Sequence, residues 1–231
     1  MPLYLKHHSY GEYIFDWAWA DAYHRHGLNY YPKLSSAIPF TPVSGARLLS
    51  DDASICAMLT SAALTLAKET QVSSLHILYP TGIQAESLKS AGFMLRNSTQ
   101  FHWHNRSYDT FDTFLAEMSH DKRKRIKQER RKLAEQDIRF EILEGAEISA
   151  ADWQFFNRCY RTTYQLHHSS PYLNLQFFLS LGRDMPENVV MIKALKEGRS
   201  IAVALNLKDE KRLYGRYWGS DIYVPGLHFE T

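Results

Sequence analysis

The stretch KLSSAIPFTPVSGAR, residues 33–47, opens the segment that decides the fold of this chain. Its first part, residues 33–39, has the pattern of a short strand, and two prolines and a glycine then interrupt it. Over Asp52–Glu69 the apolar side chains recur at the i, i+3, i+4 spacing of an amphipathic helix, with Ser50 or Asp51 as its expected N-cap. The order is therefore a strand, a loop and a helix.

The flanking segments continue this alternation of strands and helices. A strand is expected at Leu3–Lys6, followed by an aromatic-rich helix within Glu12–His26. On the other side we expect a strand at Ser74–Tyr79, a short helix at Ala85–Ser90 and a strand at Phe93–His104. The first hundred residues therefore predict an α/β sheet with helical crossovers.

The second half begins with short helices and ends in strands. Helices are expected at Phe111–Met118, Ser119–Gln136, Ser149–Tyr164 and Leu173–Leu181, and a strand at Arg139–Leu143. Three closely spaced strands then follow at Val189–Lys196, Ile201–Leu207 and Arg212–Trp218. Gly198 and Asp209 lie in the turns between them, so the pattern predicts an antiparallel meander, with a last helix starting near Leu227.

The segment at 119–136 is the most basic part of the chain. It carries the cations Lys122, Arg123, Lys124, Arg125, Lys127, Arg130, Arg131 and Lys132. A helix that is polar nearly all round either bridges between domains or binds an anionic partner such as nucleic acid. The acidic residues Asp121, Glu129 and Glu135 interrupt it, which favours a bridging helix. We therefore predict a first domain at residues 1–118, a linking helix at 119–137 and a second domain at 138–231.

The composition is that of an ordinary soluble globular protein. Of 231 residues, 45% are hydrophobic and 23% are charged, and the net charge of +2 excludes a polycation. The N-terminus lacks the pattern of a signal peptide, and no apolar run is long enough to span a membrane. Cys56 and Cys159 lie in apolar helical patterns and are expected to be buried free thiols. We therefore expect a cytoplasmic protein without membrane insertion.

The loop at Pro39–Arg47 is a candidate phosphate-binding element. A helix N-terminus attracts anions, Gly45 permits close approach to the main chain, and Arg47 adds a cation. The segment contains neither a Walker loop nor a G-x-G-x-x-G pattern, and an ordinary strand-to-helix turn would have the same composition.

Several polar residues are candidates for chemistry. The pairs His24/His26 and His102/His104 are one residue apart, but no further ligands complete a metal site, and we expect none. His228 or Glu230 is a candidate general base that deprotonates an attacking amine. No Ser–His–Asp or catalytic cysteine arrangement is present, so an enzyme with this sequence would work by positioning and polarising its substrates.

The strand Tyr214-Gly-Arg-Tyr-Trp-Gly219 places an arginine between aromatic residues. On a regular strand Arg216 and Trp218 face one way and Tyr217 the other. Such an arginine either clamps a carboxylate or phosphate, or stacks in a packed interface.

The order of these elements resembles the GNAT acyltransferase core, and particular motifs resemble its FemAB-like branch. The motifs are Tyr30-Tyr-Pro-Lys-Leu34, Pro39-Phe-Thr-Pro-Val43, Gln100-Phe-His-Trp103, the basic helix, Ser170-Pro-Tyr-Leu-Asn174 and Leu213-Tyr-Gly-Arg-Tyr-Trp218. They are similar to a bacterial subfamily labelled GNAT-like or peptidoglycan biosynthesis/recognition, and they cover essentially the whole chain. The resemblance implies tandem GNAT-like α/β domains, each a mixed sheet flanked by helices. Family members are longer, so we expect a chain truncated at both ends with an incomplete second domain.

The resemblance also implies a function and a set of site residues. It implies transfer of an acyl or aminoacyl group from acyl-CoA or aminoacyl-tRNA to an amine, such as that of a peptidoglycan precursor, without a bound cofactor. Binding is expected at Lys33, Thr41, Ser44, Gly45, Arg47, Tyr164, Arg216, Tyr217 and Trp218, and catalysis at His228 or Glu230. In the loop, the Arg-Gly-Pro pattern of the family is replaced by Thr41-Pro-Val-Ser-Gly-Ala-Arg47. The alternatives are a module that binds peptidoglycan precursors without turnover and an inactive gene fragment.

Overall fold

A computed structural model describes residues 1–229 of the chain. The chain divides into two compact units, Met1–Trp103 and His104–Thr231. This division lies earlier than the sequence predicts, because the basic helix belongs to the second unit, within which its buried Leu133 packs.

The first unit contains a small mixed sheet with helices. Its elements are β1 (Tyr4–Lys6), α1 (Trp17–Arg25), β2 (Lys33–Ser36), α2 (Ala53–Glu69), β3 (Leu75–Ile77) and α3 (Gly82–Ser90). The strand order is β1-β2-β3, with β1 antiparallel and β3 parallel to β2. These elements confirm the predicted alternation, and β2 lies in the centre of the sheet with all four residues buried.

Two details of the first unit differ from the prediction. The N-cap of α2 is Asp52, whose carboxylate accepts hydrogen bonds from the N–H groups of Ser54 and Ile55. The strand expected at residues 93–104 is wrong, because that segment forms no regular element and Phe101 is 98% exposed. An alternating sequence becomes a strand only where a neighbouring strand accepts its hydrogen bonds.

The second unit is built on an antiparallel sheet. Its elements are α4 (Phe111–Ala116), α5 (His120–Ala134), β4 (Ile138–Glu144), α6 (Ala150–Leu166), α7 (Leu175–Asp184), β5 (Val189–Lys196), β6 (Arg199–Lys208) and β7 (Leu213–Ser220). The strand order is β4-β5-β6-β7, and every neighbouring pair is antiparallel. The predicted meander is confirmed, while the mixed sheet expected in both domains occurs only in the first unit. The last helix expected near Leu227 is a single 3₁₀ turn at Leu227–Phe229.

Each face of the second sheet has its own hydrophobic cluster. On one face the aromatic side chains of α6 and α7 pack against β5 and β6, with Phe156, Phe178 and Met191 almost fully buried. On the other face Leu133 of α5 packs with Ile138 and Leu227. The alternation of side chains along each strand therefore feeds two separate cores.

The two free cysteines lie one in each unit and in different surroundings. Cys56 on α2 is half-buried, and its Sγ donates to the carbonyl of Ser50 at 3.3 Å. Cys159 on α6 is fully buried. Burial, and then the neighbouring Asp221 carboxylate, raise the pKa of Cys159 to about 12. Within residues 1–229, no helix has the length and apolar character needed to cross a bilayer.

Strand β7 approaches helix α6 so closely that only glycine fits at one position. A Cβ at Gly219 would lie 2.6 Å from the carbonyl oxygen of Cys159 and 2.9 Å from Oγ1 of Thr163. The same threonine hydroxyl is 3.1 Å from the Cys159 carbonyl and 3.2 Å from the Trp218 carbonyl. This contact fixes the distance between the sheet and the helix.

We therefore predict that Gly219→Ala lowers the free energy of unfolding by about 1–3 kcal/mol, because the new methyl group forces β7 away from α6. Gly215→Ala on the same strand is the matched control, since its Cβ would lie 3.7 Å from Asn206 Oδ1, an ordinary contact. Urea unfolding followed by circular dichroism measures both. Equal midpoints for the two variants would contradict the prediction.

Candidate functional site

One face of the first sheet collects polar side chains. Tyr4 pairs with Ser35 and Lys6 pairs with Lys33 across the antiparallel strands β1 and β2. Directly opposed residues in such a pair point to the same face of the sheet. Four side chains that are widely separated in sequence therefore lie together.

Lys33 is the centre of a buried ionic network on this face. Its side chain is fully buried, and its Nζ donates to Glu12 Oε2 at 2.7 Å, to Ser9 Oγ at 2.9 Å and to the Asp16 carboxylate. Arg96 donates to the other oxygen of Asp16 at 2.7 Å. Both carboxylates are almost fully buried as well, so each needs the cations that surround it.

The titration of this network follows from its contacts. Burial alone would raise the pKa of Asp16, but hydrogen bonds from Lys33 and Arg96 outweigh it and lower the pKa to about 2. His76 on β3 lies nearby, where burial and then the charge of Lys33 lower its pKa. Its Nε2 is 2.8 Å from Ser74 Oγ, so the imidazole is hydrogen-bonded within the unit.

A cleft of about 280 Å³ opens beside the network. It is lined by the segment that runs from β1 to Glu12, and by Ser35, Pro39 and Phe40. Gly11 shapes one wall, because it has a φ of +79° and a Cβ there would lie 2.5 Å from the Phe40 ring. The cleft therefore depends on close contact between the N-terminal segment and the loop that follows β2.

Two buried oxygen atoms at the cleft accept no hydrogen bond from residues 1–229. They are Oγ of Ser35, which is fully buried, and Oε1 of Glu12, which is 4% exposed. Lys6 Nζ is 3.2 Å from the same Glu12 oxygen, a distance that makes an ion pair although the contact lacks hydrogen-bond geometry. Buried polar atoms are nearly always satisfied in folded proteins, so a fully buried hydroxyl without a partner, in the same cleft as a carboxylate oxygen that accepts no hydrogen bond, marks a candidate ligand site.

The binding residues predicted in the first unit lie elsewhere. The Lys33 ammonium belongs to the buried network and is not exposed to the cleft. Arg47 is also fully buried, where burial lowers its pKa, and it donates to the carbonyls of Leu78 at 2.7 Å and Val43 at 2.8 Å. Both cations hold the fold together in this structure.

The rest of the predicted phosphate loop is also engaged internally. The Gly45 N–H donates to the Tyr79 carbonyl at 3.0 Å, and the Thr41 hydroxyl donates to the Pro39 carbonyl at 3.1 Å. Ser44 is exposed. The α2 N-terminus already carries the Asp52 carboxylate, so an anion there would meet a like charge. This geometry is that of the ordinary strand-to-helix turn.

In the second unit the predicted residues gather around β7. A register shift between β6 and β7 leaves Arg216 as an extra residue between the paired positions 215 and 217. Such a bulge re-aims side chains. The guanidinium carbon of Arg216 lies 4.4 Å from the centroid of the Tyr217 ring, so the arginine stacks on its neighbour.

The aromatic residues of this group occupy both faces of the sheet. Tyr164 and Tyr217 both contact the ring of Tyr160, at centroid distances of 4.8 and 4.9 Å. Trp218 packs against the cluster on the other face, with the ring of His228 5.0 Å away. Glu230 lies outside the described residues. The structure thus places Tyr164 and Tyr217 on one side of β7 and Trp218 and His228 on the other, with Arg216 at the bulge between them.

Sequence reasoning missed Lys6, Glu12 and Ser35. One signal was available, since Glu12 and Asp16 are four residues apart beside an aromatic run, and a lysine in a buried strand requires acidic partners. Ser35 gave no such signal, because serine is common in strands and only burial without a partner makes it unusual.

We predict that the network makes stability depend on acid pH. The folded pKa of Asp16 is about 2 against an ordinary value of 3.8, so its contribution is fully present above about pH 4 and is lost as pH falls through 2. This difference between the two pKa values of Asp16 corresponds to about 2 kcal/mol of folding free energy. We expect urea unfolding to show that the difference in free energy of unfolding between the wild type and Asp16→Asn becomes smaller as the pH falls from 5 to 2. Asp51→Asn, an exposed control in the same unit, should show no such convergence.

We also predict that Ser35→Ala raises the free energy of unfolding by about 1 kcal/mol or leaves it unchanged, because it removes a buried hydroxyl that has no partner. Ser9→Ala is the matched contrast at an equally buried position. It should cost about 1–3 kcal/mol, since Lys33 and the Tyr31 hydroxyl would lose their partner. Equal losses in both variants, measured by urea unfolding, would show that Ser35 has a structural partner.

Comparison with known proteins agrees with the resemblance seen in the sequence. A family model described as FemAB-like, peptidoglycan biosynthesis/recognition, matches residues 1–231. No curated protein matches the chain significantly. The match spans both units, the cleft and the β7 group alike. On this evidence the chain belongs to the FemAB-like family of peptidoglycan biosynthesis or recognition.

Proposed function

We propose that this protein is a transferase that moves an acyl or aminoacyl group onto an amine of a peptidoglycan precursor. The observation that carries the proposal is a pair of buried acceptors in the cleft of the first unit: Ser35 Oγ, which has no partner, and Glu12 Oε1, which is ion-paired with Lys6 but accepts no hydrogen bond. An amine is a donor that would satisfy both oxygens. The family supplies the class of acceptor, since its members act in peptidoglycan biosynthesis or recognition.

The proposed reaction is direct attack of the acceptor amine on the carbonyl carbon of a thioester or ester donor. A C–N bond forms, the C–S or C–O bond breaks, the amine loses a proton and the leaving group gains one. Glu12 and Ser35 would orient the amine, which converts an encounter into a positioned reaction. The bases expected from the sequence, His228 and Glu230, belong to the second unit and stay a separate prediction that is not part of the cleft. His228 is exposed beside Trp218.

Two donors remain proposals, acyl-CoA and aminoacyl-tRNA. Arg47 donates to a main-chain carbonyl and the α2 N-terminus is capped by Asp52, so the phosphates of coenzyme A would need other partners. Helix α5 offers exposed cations such as Lys124 and Arg131, which suit the phosphates of a tRNA. Tandem GNAT-like domains would be consistent with either donor.

A second candidate is a module that binds peptidoglycan precursors without turnover. The observation that favours it is the position of Lys33 and Arg47, the two cations of the first unit expected to hold a substrate, in the protein interior. Ligand recognition by the cleft requires neither of them. A transfer assay separates this candidate from the enzyme.

The test is to incubate the chain with a UDP-linked muropeptide and either acetyl-CoA or aminoacyl-tRNA, and to detect the modified amine by mass spectrometry. We expect transfer from one donor, reduced about 10- to 100-fold in Ser35→Ala by the loss of one hydrogen bond to a charged group. Ser36→Ala is the control, since Ser36 is equally buried and unpartnered but does not line the cleft.

The outcomes divide the candidates. Muropeptide binding without transfer from either donor supports the binding module. Neither binding nor transfer contradicts the proposed function. Equal loss in both serine variants would mean that the cleft is not the acceptor site.

A further inference from the structure

The charges around the cleft are of both signs and lie close together. On one side are the acceptors Glu12 Oε1 and Ser35 Oγ. On the other is the Lys6 ammonium, 3.2 Å from that same Glu12 oxygen and held by the Tyr10 carbonyl at 2.8 Å. The lysine side chain is 20% exposed, so one side of it faces the cleft and the solvent.

This arrangement disfavours a ligand group that carries only one charge. A lone ammonium placed at Glu12 and Ser35 would meet the like charge of Lys6. A lone carboxylate placed at Lys6 would meet Glu12 in the same way. Unpaired like charges are a common device for rejecting the wrong ligand. The complementary group has an ammonium and a carboxylate side by side.

We infer that the cleft recognises an α-amino acid head group, with its ammonium at Glu12 and Ser35 and its carboxylate at Lys6. The inference deepens the proposed function and rests on it, because it names the class of acceptor amine: one with a carboxylate on the same carbon, as distinct from a plain alkyl amine.

The size and the walls of the cleft agree with this ligand. A volume of about 280 Å³ lies at the lower end of the roughly 300–1,000 Å³ of ligand pockets, so it holds a head group with a short chain. Pro39 and Phe40 supply apolar walls that suit methylene groups. Ser35, buried without a partner at the strand centre, is the polar group that the protein itself leaves unsatisfied.

Three small probes that differ only in their charged groups test the inference with the full chain. 2,6-Diaminopimelate carries an amino acid head group at each end, 1,5-diaminopentane keeps the amines alone, and pimelate keeps the carboxylates alone. We expect isothermal titration calorimetry to show diaminopimelate binding at least about tenfold more tightly than either of the others.

Two variants assign the charges. Ser35→Ala should weaken diaminopimelate binding about tenfold or more. Lys6→Gln should remove the preference for diaminopimelate over diaminopentane. The carboxylate of diaminopimelate loses its cationic partner, and the ammonium of diaminopentane is no longer repelled by the charge of Lys6. Lys89→Gln, an exposed lysine of α3, and Ser36→Ala are the controls and should bind like the wild type.

The inference is overturned if diaminopentane or pimelate binds as tightly as diaminopimelate, or if none of the three binds. Failure of the proposed function would look different: diaminopimelate would bind with the expected preference, yet no donor would transfer a group to it or to a muropeptide. Conversely, equal transfer to a plain alkyl amine and to an α-amino acid head group would support the proposed function and contradict the inference.

Discussion

The first unit is organised by the need to keep one buried ammonium paired. Lys33 lies in the central strand with no exposure, so the chain must bring acidic groups to it from outside the sheet. The segment between β1 and α1 does this by folding over β2, which places Ser9, Glu12 and Asp16 around the ammonium. The same fold-over forms one wall of the cleft, so the geometry of the candidate site is a consequence of the ion pairs.

The competition at Asp16 shows which interaction is stronger. Asp16 occupies the N-cap position of α1, yet its carboxylate caps no N–H of that helix. A cap is worth about 1 kcal/mol, whereas breaking a buried ion pair costs about 3–5 kcal/mol. The carboxylate therefore turns to Lys33 and Arg96, and α1 begins without a side-chain cap. In the second unit the corresponding constraint is steric, because α6 and β7 meet at a glycine and share the hydroxyl of Thr163.

Much of the fold could be predicted from the sequence, because strong local patterns specify it. The bounds of β5 agree residue for residue, and α6 begins one residue after its predicted start at Ser149. The segment at 93–104 could not be predicted, since alternation says nothing about whether a partner strand is present. The apolar spacing of α2 predicts the helix but not which of its side chains are buried: Met58 is 70% exposed.

The candidate site was less predictable than the fold, because a site depends on which side chains meet. The sequence pointed to Arg47 by its charge and the family resemblance pointed to Lys33, but both side chains are fully buried. The sequence also pointed to Arg216 as an anion clamp or a stacking residue, yet only the register shift shows that the strand bulges there, with the guanidinium on the ring of Tyr217. Ser35 was overlooked, since an unsatisfied hydroxyl is a property of its surroundings.

The two cysteines lie in different units and differ in burial, so alkylation of each thiol gives information on its own unit. Each unit holds a single thiol, Cys56 in the first and Cys159 in the second. The half-buried thiol of α2 is open to alkylating reagents while its unit is folded. The other is sealed within a core and kept protonated, so it reacts only after its unit opens. Timed alkylation of Cys159 in the unaltered chain would therefore follow the opening of the second unit alone.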